Sequence, residues 1–284
     1  MEVVQANGLE IAYQRMGSGP PLVFVHGAGD DGRIWCPQLE ALADEFTVVA
    51  WDEPGAGGSS DQRGGLDLSA YAGCLGALLD VLALGAAHVA GMSWGGTVAL
   101  ELYRRRPELV ETLILCDTYA GWKGSLPEHE VIARVTAVRR MLAVPPAVPD
   151  PVLPGLFATE PPPRFVPLLR EMAADVRRAS LMTQLRVMAE TDQRDLLPCI
   201  AVPTLLIWGE FDARSPLSVA RQFEQAIPDA TLVILPEAGH LSNLDQPDLF
   251  NHAVRTFCRS HPPNRQTPMP NAGAARESRK PGLR

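Results

Sequence analysis

His88-Val89-Ala90-Gly91-Met92-Ser93-Trp94-Gly95-Gly96 carries a short apolar run straight into a G-x-S-x-G turn, and helical spacing begins on its far side, from Gly96. The context gives the pattern its meaning. A serine at the tip of a sharp strand-to-helix turn requires small residues two before and two after it, because the backbone there folds closely on itself. Gly91 and Gly95 meet that requirement. Such a turn lifts the Ser93 hydroxyl clear of a sheet and aims backbone N–H groups towards it, so Ser93 is a candidate nucleophile.

Working outward, further short apolar runs of buried-strand character lie at residues 21–25, 46–51, 109–116, 204–208 and 231–235. Before them, residues 2–6 and 9–15 flank Asn7-Gly8, a dipeptide that readily adopts the positive φ angles of a tight hairpin turn. Segments with helical spacing at 69–84, 95–106 and 217–227 fall between several of these runs. Strands alternating with helices predict an α/β fold built on a mostly parallel sheet covered on both faces. The alternation stops between about Trp122 and Leu197. Residues 128–142 and 164–190 read as helices there, separated by the Pro-rich stretch 145–163. The expected organisation is a core of residues 1–121 and 198–260, a helical cap inserted at 122–197, and a disordered tail at 261–284.

Composition bounds the partners. A hydrophobic content of 46% and a charged content of 20% are those of a packed globular chain. The net charge of −8 argues against nucleic acid, whose phosphates are bound by clustered Lys and Arg, and favours a small-molecule substrate. From Arg259 onward, six basic side chains face one acidic one, a pattern read as a solvated tail. No apolar run is long enough for a bilayer, and the start lacks the pattern of a signal peptide, so a cytoplasmic monomer or homodimer without membrane contact is expected. Cys36, Cys74, Cys116, Cys199 and Cys258 are odd in number and dispersed, which suggests free thiols and neither a disulfide framework nor a metal site.

A serine hydroxyl is a weak nucleophile at neutral pH and needs a base, usually histidine, which in turn needs a carboxylate to fix its tautomer. Of six histidines, His240 in Ala238-Gly239-His240 follows the last predicted strand, in a loop placed to reach the edge where Ser93 lies. His26, heading His26-Gly27-Ala28-Gly29 near the same edge, is the rival base. Asp212, just after the run at 204–208, is the candidate carboxylate, with Asp117 after the run at 109–116 as its competitor. Donors for a tetrahedral oxyanion should be the backbone amides of Trp94, next to the nucleophile, and Ala28 in the Gly-rich loop. Gly27 and Met92, beside those donors, join His26 and Asp117 as candidate pocket residues. Asp52 is expected to brace backbone in its own turn.

Taken together, His26-Gly27-Ala28-Gly29, Asp52-Glu53-Pro54-Gly55-Ala56-Gly57-Gly58-Ser59, Gly91–Gly95, Gly209–Asp212 and Gly239-His240 resemble the α/β-hydrolase superfamily in identity, order and spacing, from about Gly8 to Phe257. The resemblance implies an eight-stranded sheet with a helical cap, a Ser-Asp-His triad and no cofactor. His240-Leu241-Ser242-Asn243-Leu244-Asp245-Gln246-Pro247 is similar to the matching segment of 3-oxoadipate enol-lactonase-like hydrolases, a pattern shared by ester and carbon–carbon bond hydrolases. Pro54 departs from the family pattern, which often has Arg there, and removes a fork of donors from that turn. A serine at the elbow speaks against the haloalkane dehalogenase and epoxide hydrolase branches, which use aspartate. The expected function is a serine hydrolase that cleaves an ester or lactone of a small, largely apolar molecule through an acyl-enzyme. Carbon–carbon hydrolysis, lyase chemistry and peroxyacid formation on the same fold are the alternatives, and a non-catalytic ligand receptor is the rival from another class.

Overall fold

The computed structural model describes residues 1–61, 64–143 and 154–262. Strands β1 (Glu2–Ala6) and β2 (Leu9–Met16) form the hairpin, with Asn7 at φ 51° and Gly8 at φ 78° making its turn. Then come β3 (Pro21–Val25), helix α1 (Cys36–Leu42), β4 (Thr47–Trp51), α2 (Leu68–Val81), β5 (Ala87–Met92), α3 (Trp94–Arg105) and β6 (Val110–Cys116). The inserted helices are α4 (Trp122–Ser125), α5 (Glu128–Ala143), α6 (Val166–Asp175) and α7 (Arg178–Glu190). The core resumes with β7 (Thr204–Gly209), α8 (Leu217–Ala226), β8 (Ala230–Leu235), α9 (Ser242–Asp245) and α10 (Pro247–Ser260).

The eight strands make one sheet in the order β1-β2-β4-β3-β5-β6-β7-β8. The β1–β2 and β2–β4 pairs are antiparallel and all the others parallel. Every residue of β4, β5 and β7 is buried, which is why these segments read as continuous apolar runs with no alternation: helices cover both faces. The two-residue period of a strand sorts its side chains between those faces. Val23, Val49, Val89, Leu113 and Leu206 pack with α2, α3 and α8 in one core cluster. Leu22, Val48, Ala90, Ile114 and Leu205 pack with α1 and α10 in another. In α10 the buried residues Pro247, Phe250, Asn251, Val254 and Cys258 mark a single helical stripe.

The sequence predicted one helix over 164–190; the structure breaks it into α6 and α7, with Val176 and Arg177 in extended conformation between them. The reason is tertiary. Arg177 turns back to the core and donates to the carbonyls of Gly57 and Ser59, each at 2.7 Å, and to Asp61 Oδ1 at 2.9 Å. A guanidinium fork is thus supplied from the cap to the turn that Pro54 leaves without one. The expected tail is, from residue 263 on, outside the described residues, as is the first part of the Pro-rich stretch, to residue 153. Among the described residues no helix is long and apolar enough to cross a membrane. All five cysteines are unpaired.

Candidate active site

Each candidate residue lies in a segment leaving the carboxyl end of a strand, where ligands bind in open α/β sheets. Ser93 follows β5 with φ 53° and ψ −118°, a strained position for a residue with a side chain. Its neighbours explain how the chain tolerates it. A Cβ on Gly91 would stand 2.4 Å from Gly95 O, and one on Gly95 would stand 2.2 Å from Val25 O, so neither position accepts a larger residue. The Ser93 N–H is tied to Cys116 O at 2.9 Å, and Thr118 Oγ1 donates to Ser93 O. The strain is held from both sides.

His240, buried after β8, has its Nδ1 2.9 Å from Asp212 Oδ2. The other oxygen of Asp212 accepts the N–H groups of Arg214 (2.8 Å) and Ser215 (2.9 Å), which fixes the carboxylate's direction. The structure therefore pairs His240 with Asp212 and gives Asp117 a different place. Asp117, at φ 47° after β6, accepts from Gly209 N at 2.8 Å and from the Ser242 hydroxyl. Burial, and then the charge of Asp212, push the Asp117 carboxyl well above the usual carboxylate range.

Both ring nitrogens of His26 are engaged by backbone groups. The side chain is fully buried; Nδ1 lies 2.9 Å from Gly27 O and Nε2 accepts the Glu53 N–H at 3.1 Å. Because Nε2 must accept, Nδ1 carries the proton and donates to the carbonyl. Burial lowers the ring's pKa and keeps it neutral. A consequence follows for Ala28. With no cis peptide among the described residues, the Gly27 carbonyl and the Ala28 N–H point in opposite directions from one rigid plane. Holding the carbonyl therefore aims the amide. The Ala28 N–H has no backbone acceptor among the described residues, and the Trp94 N–H is the first of α3, where no intrahelical partner exists. Met92 is fully buried in the cluster with Phe24, Ile34 and Cys116, a core position and not a pocket wall. Gly27 lies against Ser93: a Cβ there would meet Ser93 Cβ at 3.7 Å and Asp30 Oδ2 at 2.7 Å. Asp52 braces its turn as expected, accepting from Gly32 N (2.8 Å) and Gly58 N (2.7 Å).

Three polar residues near this site were not singled out as site residues from the sequence. Glu53, fully buried after β4, accepts from Trp94 Nε1 at 2.7 Å and from Gln184 Nε2 of α7. Burial outweighs both hydrogen bonds and raises its pKa to about 8. Gln184 Oε1 also accepts the Gly29 N–H at 3.1 Å. Asp30, on the loop after β3, is pushed to about 7 by burial and by the charge of Asp31, against the opposing pull of Arg214. A carboxyl in the Asp52–Ser59 turn was the available signal for Glu53. Nothing local marks Gln184, whose partner Gly29 is 155 residues away.

The recess between this loop and the cap is lined by Asp30, Asp31, Asp175, Arg177, Gln184 and Leu181, among others. With the cap seated it leaves about 10 Å³, near the space of one water molecule. A second cavity, of about 470 Å³, lies between α4 and α8, and neither space is lined by Ser93, Asp212 or His240 themselves.

This sheet order, the elbow at Ser93 and the loops gathered around it define the class, and the sequence agrees: residues 22–253 match the alpha/beta hydrolase family, and the chain belongs to that family. It is an α/β-hydrolase enzyme. A thermophilic esterase from Thermogutta terrifontis, solved with malate bound, superposes with a TM-score of 0.81 at 30% identity, covering 92% of this chain and 98% of that one. The enol-lactonase of Burkholderia xenovorans LB400 superposes with a TM-score of 0.79 at 27% identity, covering 91% and 100%. The pimeloyl-[acyl-carrier protein] methyl ester esterase of Vibrio vulnificus is 27% identical over 269 residues, covering 87% of this chain and 98% of its own.

Proposed function

We propose that this enzyme is a serine hydrolase acting on a small carboxylic ester or lactone through an acyl-enzyme. The observation that carries the reading is the His240–Asp212 pair at 2.9 Å. With Nδ1–H held by the carboxylate, Nε2 is the nitrogen left to accept the Ser93 proton. Ser93 Oγ attacks the carbonyl, and the oxyanion falls on the Ala28 and Trp94 amides. His240 returns its proton to the leaving alcohol, then activates the water that releases the acid. The esterase and lactonase relatives support this bond class.

Asp30 bears on the substrate. Its carboxyl lies within one side chain's reach of Ser93, and in its ionised form, which dominates above about pH 7, repels a negative charge placed beside the scissile carbonyl. The substrate is therefore neutral there, or carries a hydrogen-bond donor.

The test is peptide mass spectrometry after treatment with a fluorophosphonate, with turnover of short-chain aryl esters measured alongside. A covalent adduct on Ser93, absent from Ser93→Ala, is expected, together with a loss in kcat on the order of 10⁴ to 10⁶. Near-normal turnover by Ser93→Ala ends the proposal.

A further inference from the structure

Glu53 stands at a junction of three elements that the chemistry needs in register. Its backbone N–H holds His26 Nε2, which sets the tautomer that pins the Gly27 carbonyl. Its side chain holds the Trp94 indole at 2.7 Å and Gln184 of the cap. Gln184 in turn holds the Gly29 N–H at 3.1 Å. The two peptide groups flanking Ala28 are thereby fixed, one by His26 and one by Gln184. Both candidate oxyanion donors, Ala28 and Trp94, connect to the same carboxyl. A leucine at position 53 would avoid the cost of burying a carboxyl. It would also break both links that the Glu53 carboxyl makes, to Trp94 and to Gln184.

We propose that Glu53 and Gln184 are positioning residues for the oxyanion hole, which hold Trp94 and the Ala28 loop in their working places when α7 of the cap is seated. This inference rests on the serine hydrolase reading. Neither side chain is required to touch substrate. They act through Trp94 and Gly29, so their removal misplaces donors without removing them. Such misplacement affects the transition state more than the ground state, since the oxyanion exists only in the former.

The experiment measures kcat and KM separately for p-nitrophenyl acetate and butyrate, using the full chain with Gln184→Met, Glu53→Gln and both changes together. Gln184→Met keeps the volume and removes both hydrogen bonds. It should lower kcat about 10- to 100-fold, the scale of small misplacements in an active site, with KM within about threefold. Glutamine at 53 cannot accept from both Trp94 and Gln184, so that variant also loses kcat. The double variant should be no worse than the poorer single one, because both cut the same relay. An unchanged kcat in folded Gln184→Met, a change confined to KM, or losses that multiply in the double variant would each overturn the proposal. Should Glu53→Gln fail to fold, the kcat and KM of Gln184→Met decide alone. Ser93→Ala, run in parallel, separates the two ideas. Turnover without Ser93 removes the serine hydrolase reading itself, whereas an inactive Ser93→Ala beside a normal Gln184→Met removes only the positioning role.

Discussion

At the scale of single residues, two carboxyl groups crowd the space behind His240, and their hydrogen bonds assign them different work. Asp212 faces the imidazole with one oxygen and two backbone N–H groups with the other. Asp117, its carboxyl pushed towards the neutral form, ties Gly209 to Ser242. Asp212→Asn presents an amide where His240 needs an acceptor and should lower kcat by about 10³ to 10⁴ through the wrong tautomer. Asp117→Asn resembles the neutral acid and should cost less than about tenfold. Steady-state kinetics on one ester checks both, and equal losses would refute the assignment. Glu53 makes a second prediction. Its carboxyl releases a proton near 4.5 in the unfolded chain and near 8 in the folded one. Between those values the folded protein holds a proton that the unfolded chain has lost. The stability linked to this group is therefore full below about pH 4.5 and declines as pH rises towards 8. In urea unfolding from pH 5.5 to 8.5, wild type should lose stability relative to Glu53→Gln, on the order of a few kcal/mol. A pH-independent difference between the two would show that Glu53 ionises normally.

Elements tell a different story, because the cap obeys contacts that local sequence does not announce. The elbow at Ser93 was legible since its glycines answer a local steric demand, and the parallel strands were legible since burial on both faces leaves a continuous apolar run. The break at Val176 and Arg177 was not. No glycine or proline marks it, and helical spacing runs through it; the extended backbone exists because Arg177 reaches the Gly57 and Ser59 carbonyls. The short helix α1 went unread for lack of length, and Gln184 for lack of any local signature. The Arg177 contact can be tested as an element-level clamp. Arg177→Met removes charge-assisted bonds to partly buried carbonyls, each contributing roughly 1 to 3 kcal/mol. The thermal midpoint should fall by a few degrees, and limited proteolysis within residues 164–190 should speed up. An unchanged midpoint together with unchanged cleavage would mean that the clamp is idle.

The molecule as a whole divides into a sheet whose strand ends carry Ser93, Asp212 and His240 and an insertion that packs over that edge. Its strand order lay beyond a reading of local sequence, since parallel crossovers join segments that no nearby turn relates; the family resemblance implied only the number of strands and the cap. The insertion leaves and re-enters the sheet at neighbouring points. The chain departs after β6 and returns before β7, and the two ends are stitched together there: Gln193 N donates to Ala120 O at 3.0 Å, Gly124 N to Thr191 O at 3.3 Å, and Gln193 Nε2 to Thr97 O at 3.2 Å. A segment whose ends already meet can vary in length at little entropic cost, because loop closure depends only weakly on the number of residues enclosed. The core thus works as a socket. Recombination at two neighbouring points exchanges the roof, and with it the range of molecules admitted, as long as the new roof again supplies partners for Gly29 and Glu53.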